Sequence, residues 1–471
     1  MQLNEYIKYD AMALAELVRT QQVSAKELAS CAQKRCEDVN PAINAVLEVF
    51  DDAIQEPNLN PVGPFVGVPF LLKDLGACEA GRKQELGSRL AEGIIAEKDS
   101  FLTTQFKNTG VNIIGRTSCP EFALSGATES VISGITRNPW ALDLMAGGSS
   151  GGAAAAVAVG IVPIAHANDG GGSIRIPSSC CGLVGLKPSR GRVSGGPDMF
   201  EPLMGLASEF IVSRSVRDSV TMLESVSKPA IGEPFIISPL GTISKRSKPL
   251  NIGFTTGPWA DGAVDPEIKS LTETIAKLCG DLGHRIVEVP FEFDFERYEH
   301  ATCAIWAADL VTGVDALASH TGRTPIENYL ETVTLAFYEH GKKMSGADFV
   351  TAQLTLNELR LQVGEYFTGF DVLLTPTLAL PPQKHGLFSQ NLPNVSAHDF
   401  FARLSTIEQF QPVFNITGQP AISLPLCENS EGLPIGMQFS AHFGREDILL
   451  SLAMQLEQAL PWSDRRPKVE P

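Results

Sequence analysis

The chain has 471 residues, 44% of them hydrophobic, enough for one large α/β core or for roughly two or three smaller ones. A formal charge of −17 at pH 7 repels nucleic acid and anionic membrane, so the expected partner is a small neutral or apolar molecule. The nine cysteines form no CxxC pair and no Cys/His spacing of the zinc type, which predicts reduced, packed thiols and no metal site.

The first residues, Met1-Gln2-Leu3-Asn4-Glu5-Tyr6, carry neither a basic nor an apolar targeting run, and a cytoplasmic protein is expected. Ala13, Leu14, Leu17 and Val18 fall at helical spacing, and Ser24 with Glu27 three residues on reads as a capping box opening a second helix. Residues 43–50 and 65–72 read as strands, the second ending directly at Lys73. A short helix over 101–109, a strand over 111–115 and a turn at 119–122 follow. The alanine-rich run 153–160 predicts a helix behind the loop Gly147-Gly148-Ser149-Ser150-Gly151-Gly152, and the apolar stretch 153–162 is shorter than the roughly 20 residues a bilayer requires. A strand is expected over 161–165, with 166–173 as its exit loop, while 140–146 makes a poor strand.

Beyond Arg192 the alternation resumes. It runs through a helix over 215–226, an extended connection over 228–249, a strand over 250–254, a helix over 265–282 and a strand over 285–289. The middle section, about 296–367, is helical in pattern, then come strands at 371–374 and 434–440 and a closing helix at 446–460. Strands and helices alternating to the end predict a single large α/β domain over 1–471, with one mixed central sheet and helices on both faces.

Two glycine-cradled serines stand out, Ser149 and Ser173. A phosphate-binding P-loop is excluded because Ala153-Ala154 follow the last glycine of the first cluster. A dinucleotide fingerprint is excluded because Gly170-Gly171-Gly172 lead into Ser-Ile-Arg-Ile-Pro, an awkward start for a helix. The G-x-S-x-G pattern fits both Ser149 and Ser150, with His385, His398 and His442 downstream as triad histidines, each in an undistinguished loop context. Asp169 and Arg175 bracket the second cluster, and a charge-assisted pair between them would brace a loop able to hold an oxyanion. Lys73, flanked by Phe70, Leu71, Leu72 and Leu75, reads by itself either as a surface lysine snorkelling from a strand end or as one held among apolar neighbours, where desolvation would favour the neutral amine.

Lys73 after Gly67-Val68-Pro69-Phe70, the loop 147–152, the run Asp169-Gly170-Gly171-Gly172-Ser173-Ile174-Arg175-Ile176-Pro177 and Gly185-Leu186-Lys187-Pro188 together resemble the amidase signature family. The stretch 415–425 and Gly432-Leu433-Pro434-Ile435-Gly436 extend the resemblance over nearly the whole chain. It implies an amide hydrolase that needs no cofactor and carries a Ser-Ser-Lys triad: Ser173 as nucleophile, Ser149 as proton relay behind a cis Gly148–Ser149 peptide, and neutral Lys73 as base. The N–H groups around Gly170, Gly171, Gly172 and Ser173 would face the oxyanion. The triad would lie in a core of about 60–225, and the helical section 296–367 would set specificity. Asn168 and Gly170 depart from the bulkier residues of many members, Gly170 loosening the loop. Asn168-Asp169, Gly444-Arg445-Glu446-Asp447 and 459–462 are most similar to the 6-aminohexanoate cyclic-dimer hydrolase branch. Cys303 and Trp306, in the helical section, are assigned to core packing. A small linear or cyclic amide is the implied substrate, and a homodimer stays open. The same triad also serves the ammonia-supplying component of amidotransferase complexes, which gives a second reading.

Overall fold

The run Val68-Pro69-Phe70-Leu71-Leu72 is apolar at every position up to Lys73, and a strand with no polar face must be covered on both sides. In the computed structural model, which describes residues 1–57, 59–244 and 248–469, this segment is a fully buried strand near one end of an eleven-stranded sheet. In chain order the strands are β1 (Val46–Val49), β2 (Pro69–Lys73), β3 (Asn112–Thr117), β4 (Ile164–Asp169), β5 (Val184–Lys187) and β6 (Ser208–Ser213). They continue as β7 (Asn251–Phe254), β8 (Arg285–Glu288), β9 (Val372–Pro376), β10 (Ala421–Glu428) and β11 (Pro434–Ala441). Across the sheet the order is β1-β3-β2-β4-β6-β5-β10-β11-β9-β7-β8. The pairs β2/β3, β2/β4, β7/β8 and β7/β9 are parallel and the remainder antiparallel, so the sheet is mixed as expected.

The longer helices are α1 (Ala11–Arg19), α2 (Ala25–Ile43), α3 (Phe101–Asn108), α4 (Gly151–Ala158), α5 (Arg175–Cys181), α6 (Val216–Val226) and α7 (Pro266–Asp281). After them come α8 (Phe295–Thr321), α9 (Thr332–Lys343), α10 (Gly346–Tyr366), α11 (Ala397–Ser405), α12 (Pro412–Thr417) and α13 (Glu446–Ala459). Ser24 Oγ accepts from the Glu27 N–H while the Glu27 carboxylate accepts from the Ser24 N–H, closing the capping box that starts α2. By length and composition α8 could cross a membrane, but in this fold it packs against α9, α10 and α11.

The strand expected over 65–72 starts only at Pro69, because Gly67 turns with a φ of +76°. The strand expected over 161–165 lies instead at β4, so His166 to Asp169 belong to the sheet and the loop begins at Gly170. Hydrogen bonds to the facing strand allow this polar strand end to lie buried. Residues 140–146 contain a real strand, Ala141–Met145, paired with Arg137–Asn138 outside the main sheet. A helix does start behind the second glycine cluster: Pro177 falls in the first turn of α5, where its missing N–H costs no helical bond. The stretch beginning at Asn415 includes the end of α12 before β10. The connection expected over 228–249 is irregular in its described part, and residues 245–247 lie outside the described residues.

Candidate active site

Three neighbouring strands set the site. β2 and β4 run parallel, so Lys73 at the end of one and Asn168 near the end of the other reach the same edge of the sheet. β6 runs antiparallel to β4 with Glu209 paired to Asn168, and His166 points to the same face of β4 as Asn168, two residues on. Lys73 Nζ donates to Asn168 Oδ1 at 2.6 Å, and Asn168 Nδ2 donates to Glu209 Oε1 at 3.3 Å. Glu209 Oε2 lies 2.6 Å from His166 Nε2, and His166 Nδ1 accepts the backbone N–H of Lys73 at 3.2 Å. Since Nδ1 is an acceptor, the ring proton sits on Nε2 and points at Glu209. The chain of contacts closes on Lys73 and fixes both its backbone and its amine.

Ser149 and Ser150 sit at the N-terminal end of α4, whose glycine and alanine side lets the helix press against its surroundings: a Cβ on Gly152 would stand 2.6 Å from the Ser118 backbone nitrogen. The Gly148–Ser149 peptide is cis. Lys73 Nζ is 2.7 Å from Ser149 Oγ and 3.1 Å from Ser150 Oγ, and Ser150 Oγ also donates to the Asn168 carbonyl at 3.2 Å. All three side chains are buried, Lys73 at 1% exposure. Burial lowers the Lys73 pKa to about 8, against the opposing pull of Cys119, Glu209 and Asp169.

The turn between β4 and α5 carries Ser173. Among the described residues its Oγ makes no hydrogen bond, and the N–H groups of Gly170, Gly171, Gly172 and Ser173 donate none. A set of free amides in one tight turn beside a hydroxyl is suited to hold a developing oxyanion. Behind the turn, Arg175 Nε and Nη2 clasp the two carboxylate oxygens of Asp169 at 2.9 and 2.8 Å, with neither side chain exposed. Burial would push Asp169 up, but the Arg175 charge and hydrogen bonds hold it at about 2. Asn415 completes the brace, giving its Nδ2 to the Asp169 carbonyl and accepting Arg175 Nη2 at 2.6 Å.

Two cavities meet at Ser173. One is an open cleft of about 550 Å³ that also reaches Ser149, Asn168 and Gly170. The other is narrow, about 60 Å³, and walled mainly by apolar groups such as Phe295, Trp306, Phe401 and Val413. Trp306 lines both, so it borders the site rather than belonging only to the core, and a Cβ on Gly170 would come within 3.1 Å of its ring. That indole occupies the room a bulkier residue would take, so Gly170 is packed against rather than slack.

Glu408 closes part of the narrow pocket. Its Oε1 is buried without a hydrogen-bond partner, and burial, with the Asp169 charge adding to it, raises its pKa to about 8. At neutral pH it is an uncharged acid able to donate a hydrogen bond inward. His166, Glu209, Glu408 and the bracing Asn415 are site residues that sequence reasoning did not assign. Only the alternation of β4 could have revealed His166, and nothing local marks Glu209 or Glu408. The downstream histidines do not complete a triad at the two serines: His385 and His442 bond to the carbonyls of Leu142 and Phe370, and His398 packs against His300 and His340.

A mixed α/β sheet thus brings a buried lysine, a glycine-cradled serine loop and a braced turn of free amides together at one edge. The sequence profile of the amidase family matches residues 27–450. The chain is 35% identical over 483 residues to the 6-aminohexanoate-cyclic-dimer hydrolase of Paenarthrobacter ureafaciens, covering 98% of this chain and 96% of that enzyme. The solved structure of 6-aminohexanoate cyclic dimer hydrolase complexed with substrate superposes with a TM-score of 0.92 at 34% identity, over 98% of this chain and 99% of that one. A glutamyl-tRNA(Gln) amidotransferase chain from Thermotoga maritima shares the fold, with a TM-score of 0.76 at 22% identity over 100% and 98% of the two chains. The chain belongs to the amidase signature family and is an amide hydrolase, acting on carbon–nitrogen bonds.

Proposed function

We propose that the enzyme cleaves a small neutral amide, linear or cyclic, through an acyl intermediate on Ser173, with Ser149 as proton relay and Lys73 as base. The observation that carries this reading is the 2.7 Å contact between Ser149 Oγ and a buried Lys73 whose pKa is lowered to about 8. A lysine so lowered is partly neutral near pH 7 and can accept a proton through Ser149 as Ser173 Oγ attacks the carbonyl. The free N–H groups of the 170–173 turn would take the oxyanion, each donor worth on the order of 3 kcal/mol in the transition state. Collapse of the tetrahedral intermediate breaks the C–N bond, and the Lys73 ammonium returns the proton to the leaving amine by the same relay. Water then attacks the acyl ester with Lys73 again as base.

The segment 296–367 forms the specificity wall in this reading and the segment 60–225 the catalytic core, the two meeting at Trp306 and Gly170. The narrow apolar pocket suits an unbranched, uncharged arm of the substrate, with Glu408 as a hydrogen-bond donor at its side. A cyclic dimer of 6-aminohexanoate, named in the relative's activity, has this chemistry: two neutral amides joined by methylene chains. The likeness to the amidotransferase chain is one of fold alone. The test is turnover of a panel of aliphatic, aryl and cyclic amides by the purified chain, together with labelling by a fluorophosphonate. Wild type should be labelled and Ser173→Ala should be neither labelled nor active; equal labelling or turnover by the variant removes Ser173 as nucleophile.

A further inference from the structure

Two helices that wall the narrow pocket, α8 and α11, meet α9 in a cluster of imidazoles and one thiol that takes no part in the chemistry above. α8 supplies Cys303, with His300 one turn before it, α9 supplies His340 and α11 supplies His398. Donor atoms of Cys303, His340 and His398 all lie within 4.8 Å of one another. The His398 ring centroid is 4.5 Å from that of His300 and 4.9 Å from that of His340. A tetrahedral zinc ion with bonds of about 2.0–2.3 Å sets its ligand atoms about 3.3–3.8 Å apart, so about 1 Å of side-chain rotation closes the set.

These donors are unspent. His398 Nδ1 is buried with no hydrogen-bond partner, and among the described residues the Cys303 thiol and the rings of His300 and His340 make no hydrogen bond. Elsewhere His166, His284, His385 and His442 each place a ring nitrogen in a hydrogen bond, and His385 Nδ1, which has none, lies 3.4 Å from a Glu129 carboxylate oxygen. A buried ring nitrogen without a partner is uncommon, and here His398 Nδ1 stands beside the buried Cys303 thiol and the half-buried His340 ring, each from a different helix. The cluster opens on a solvent cavity of about 540 Å³ in which His300 and His398 stand among the carboxylates of Asp261, Glu299 and Asp399, a field that draws a cation in. Imidazole and thiol donors select zinc-class ions over calcium or magnesium.

We propose that Cys303, His340 and His398 bind a zinc-class divalent cation, with His300 or a water at the solvent side. Binding forms a metal–sulfur bond and releases the thiol proton to solvent. The consequence reaches the pocket through helix geometry. Trp306, Phe337 and Phe401 lie one turn from Cys303, His340 and His398 respectively, and pack as a T-shaped aromatic layer with Trp306–Phe401 and Phe337–Phe401 centroids 6.0 and 5.1 Å apart. A cation in the one layer fixes the spacing of the other, and Trp306 and Phe401 line the substrate pocket.

The test is titration of the chelator-treated, full-length enzyme with Co²⁺. One equivalent should produce a thiolate-to-cobalt charge-transfer band with the intense visible bands of four-coordinate cobalt, and Zn²⁺ should erase both. Cys303→Ser should lose the charge-transfer band, and His340→Gln and His398→Gln should each weaken binding by at least about 10- to 100-fold, the scale seen even for residues one step removed from a metal. Thermal melts of each variant establish folding, and the wild-type titration stands whether or not a variant folds. Absence of the band in wild type overturns the proposal, as does a band of equal strength in Cys303→Ser or unchanged affinity in both histidine variants.

Discussion

The shortest polar contact of Lys73 Nζ is with Asn168 Oδ1, at 2.6 Å, closer than either neighbouring serine. A neutral amide oxygen holds the amine in place without the full charge that would lock it as an ammonium. Asn168 is itself held by Glu209, so the carboxylate acts on Lys73 through a spacer.

Activity should therefore rise with pH through about 8, as Lys73 loses its proton, and Asn168→Asp should move that limb. A carboxylate at this distance favours the ammonium and raises the Lys73 pKa by about 1 to 3 pH units, so the limb moves upward and activity at pH 7 falls. Lys187, lowered by burial to about 7, is not in contact with Asn168, and a limb that stays in place in the variant would assign the titration elsewhere. The measurement is a kcat/KM profile for both enzymes.

Ser149 and Ser150 both touch Lys73, but only Ser149 opens on the cleft with Ser173, while Ser150 is tied to the Asn168 carbonyl. Ser149→Ala should lower kcat by at least about 100-fold and Ser150→Ala by less than about tenfold. Equal losses would mean that the two hydroxyls share the relay.

Arg175 is the bracing centre of the turn, with five side-chain hydrogen bonds to Asp169, Gln411, Gln438 and Asn415. Arg175→Ala leaves the Asp169 carboxylate buried and unpaired, which should cost about 3–5 kcal/mol in urea unfolding at pH 7. Asp169, held at about 2, contributes stability that is present above its ordinary 3.8 and lost as pH falls toward 2, so the gap between wild type and variant should narrow there.

Glu408 has the opposite sign. Its folded pKa of about 8 lies above the ordinary 4.5, so the folded state holds a proton that the unfolded chain releases, and stability falls as pH rises from 4.5 to 8. Glu408→Gln removes that slope. The variant should gain on wild type across this range, by an amount on the order of a few kcal/mol at pH 8 and near zero at pH 4.5, in thermal or urea melts.

Much of the sheet is legible from composition. Runs such as Phe70-Leu71-Leu72 and Val372-Leu373-Leu374 announce buried strands, since only a strand covered on both faces is uniformly apolar. β4 escapes that signal for the converse reason. Its second half, His166-Ala167-Asn168-Asp169, reads as a polar loop until the facing strand supplies Glu209 as a partner. Pro177 misleads in the same way, because its cost depends on whether it falls in the first turn of a helix.

The two glycine-cradled serines and the Asp169/Arg175 bracket stand out from local chemistry, because each carries its own signal in a few adjacent residues, whereas Lys73 reads locally as a lysine at a strand end and gains its role only from the family resemblance. Their meeting is not written there. Lys73 and Asn168 come together because β2 and β4 run parallel, and Glu209 joins them because β6 returns antiparallel in register. Glu408 and the set of Cys303, His340 and His398 have no local pattern at all, their members lying far apart in sequence on separate elements. The sequence by itself determined that the two glycine-cradled serines and the Asp169/Arg175 bracket are chemically unusual; tertiary structure alone decided which groups are dry, which are unpaired and which face one another, since desolvation and distance arise only from packing.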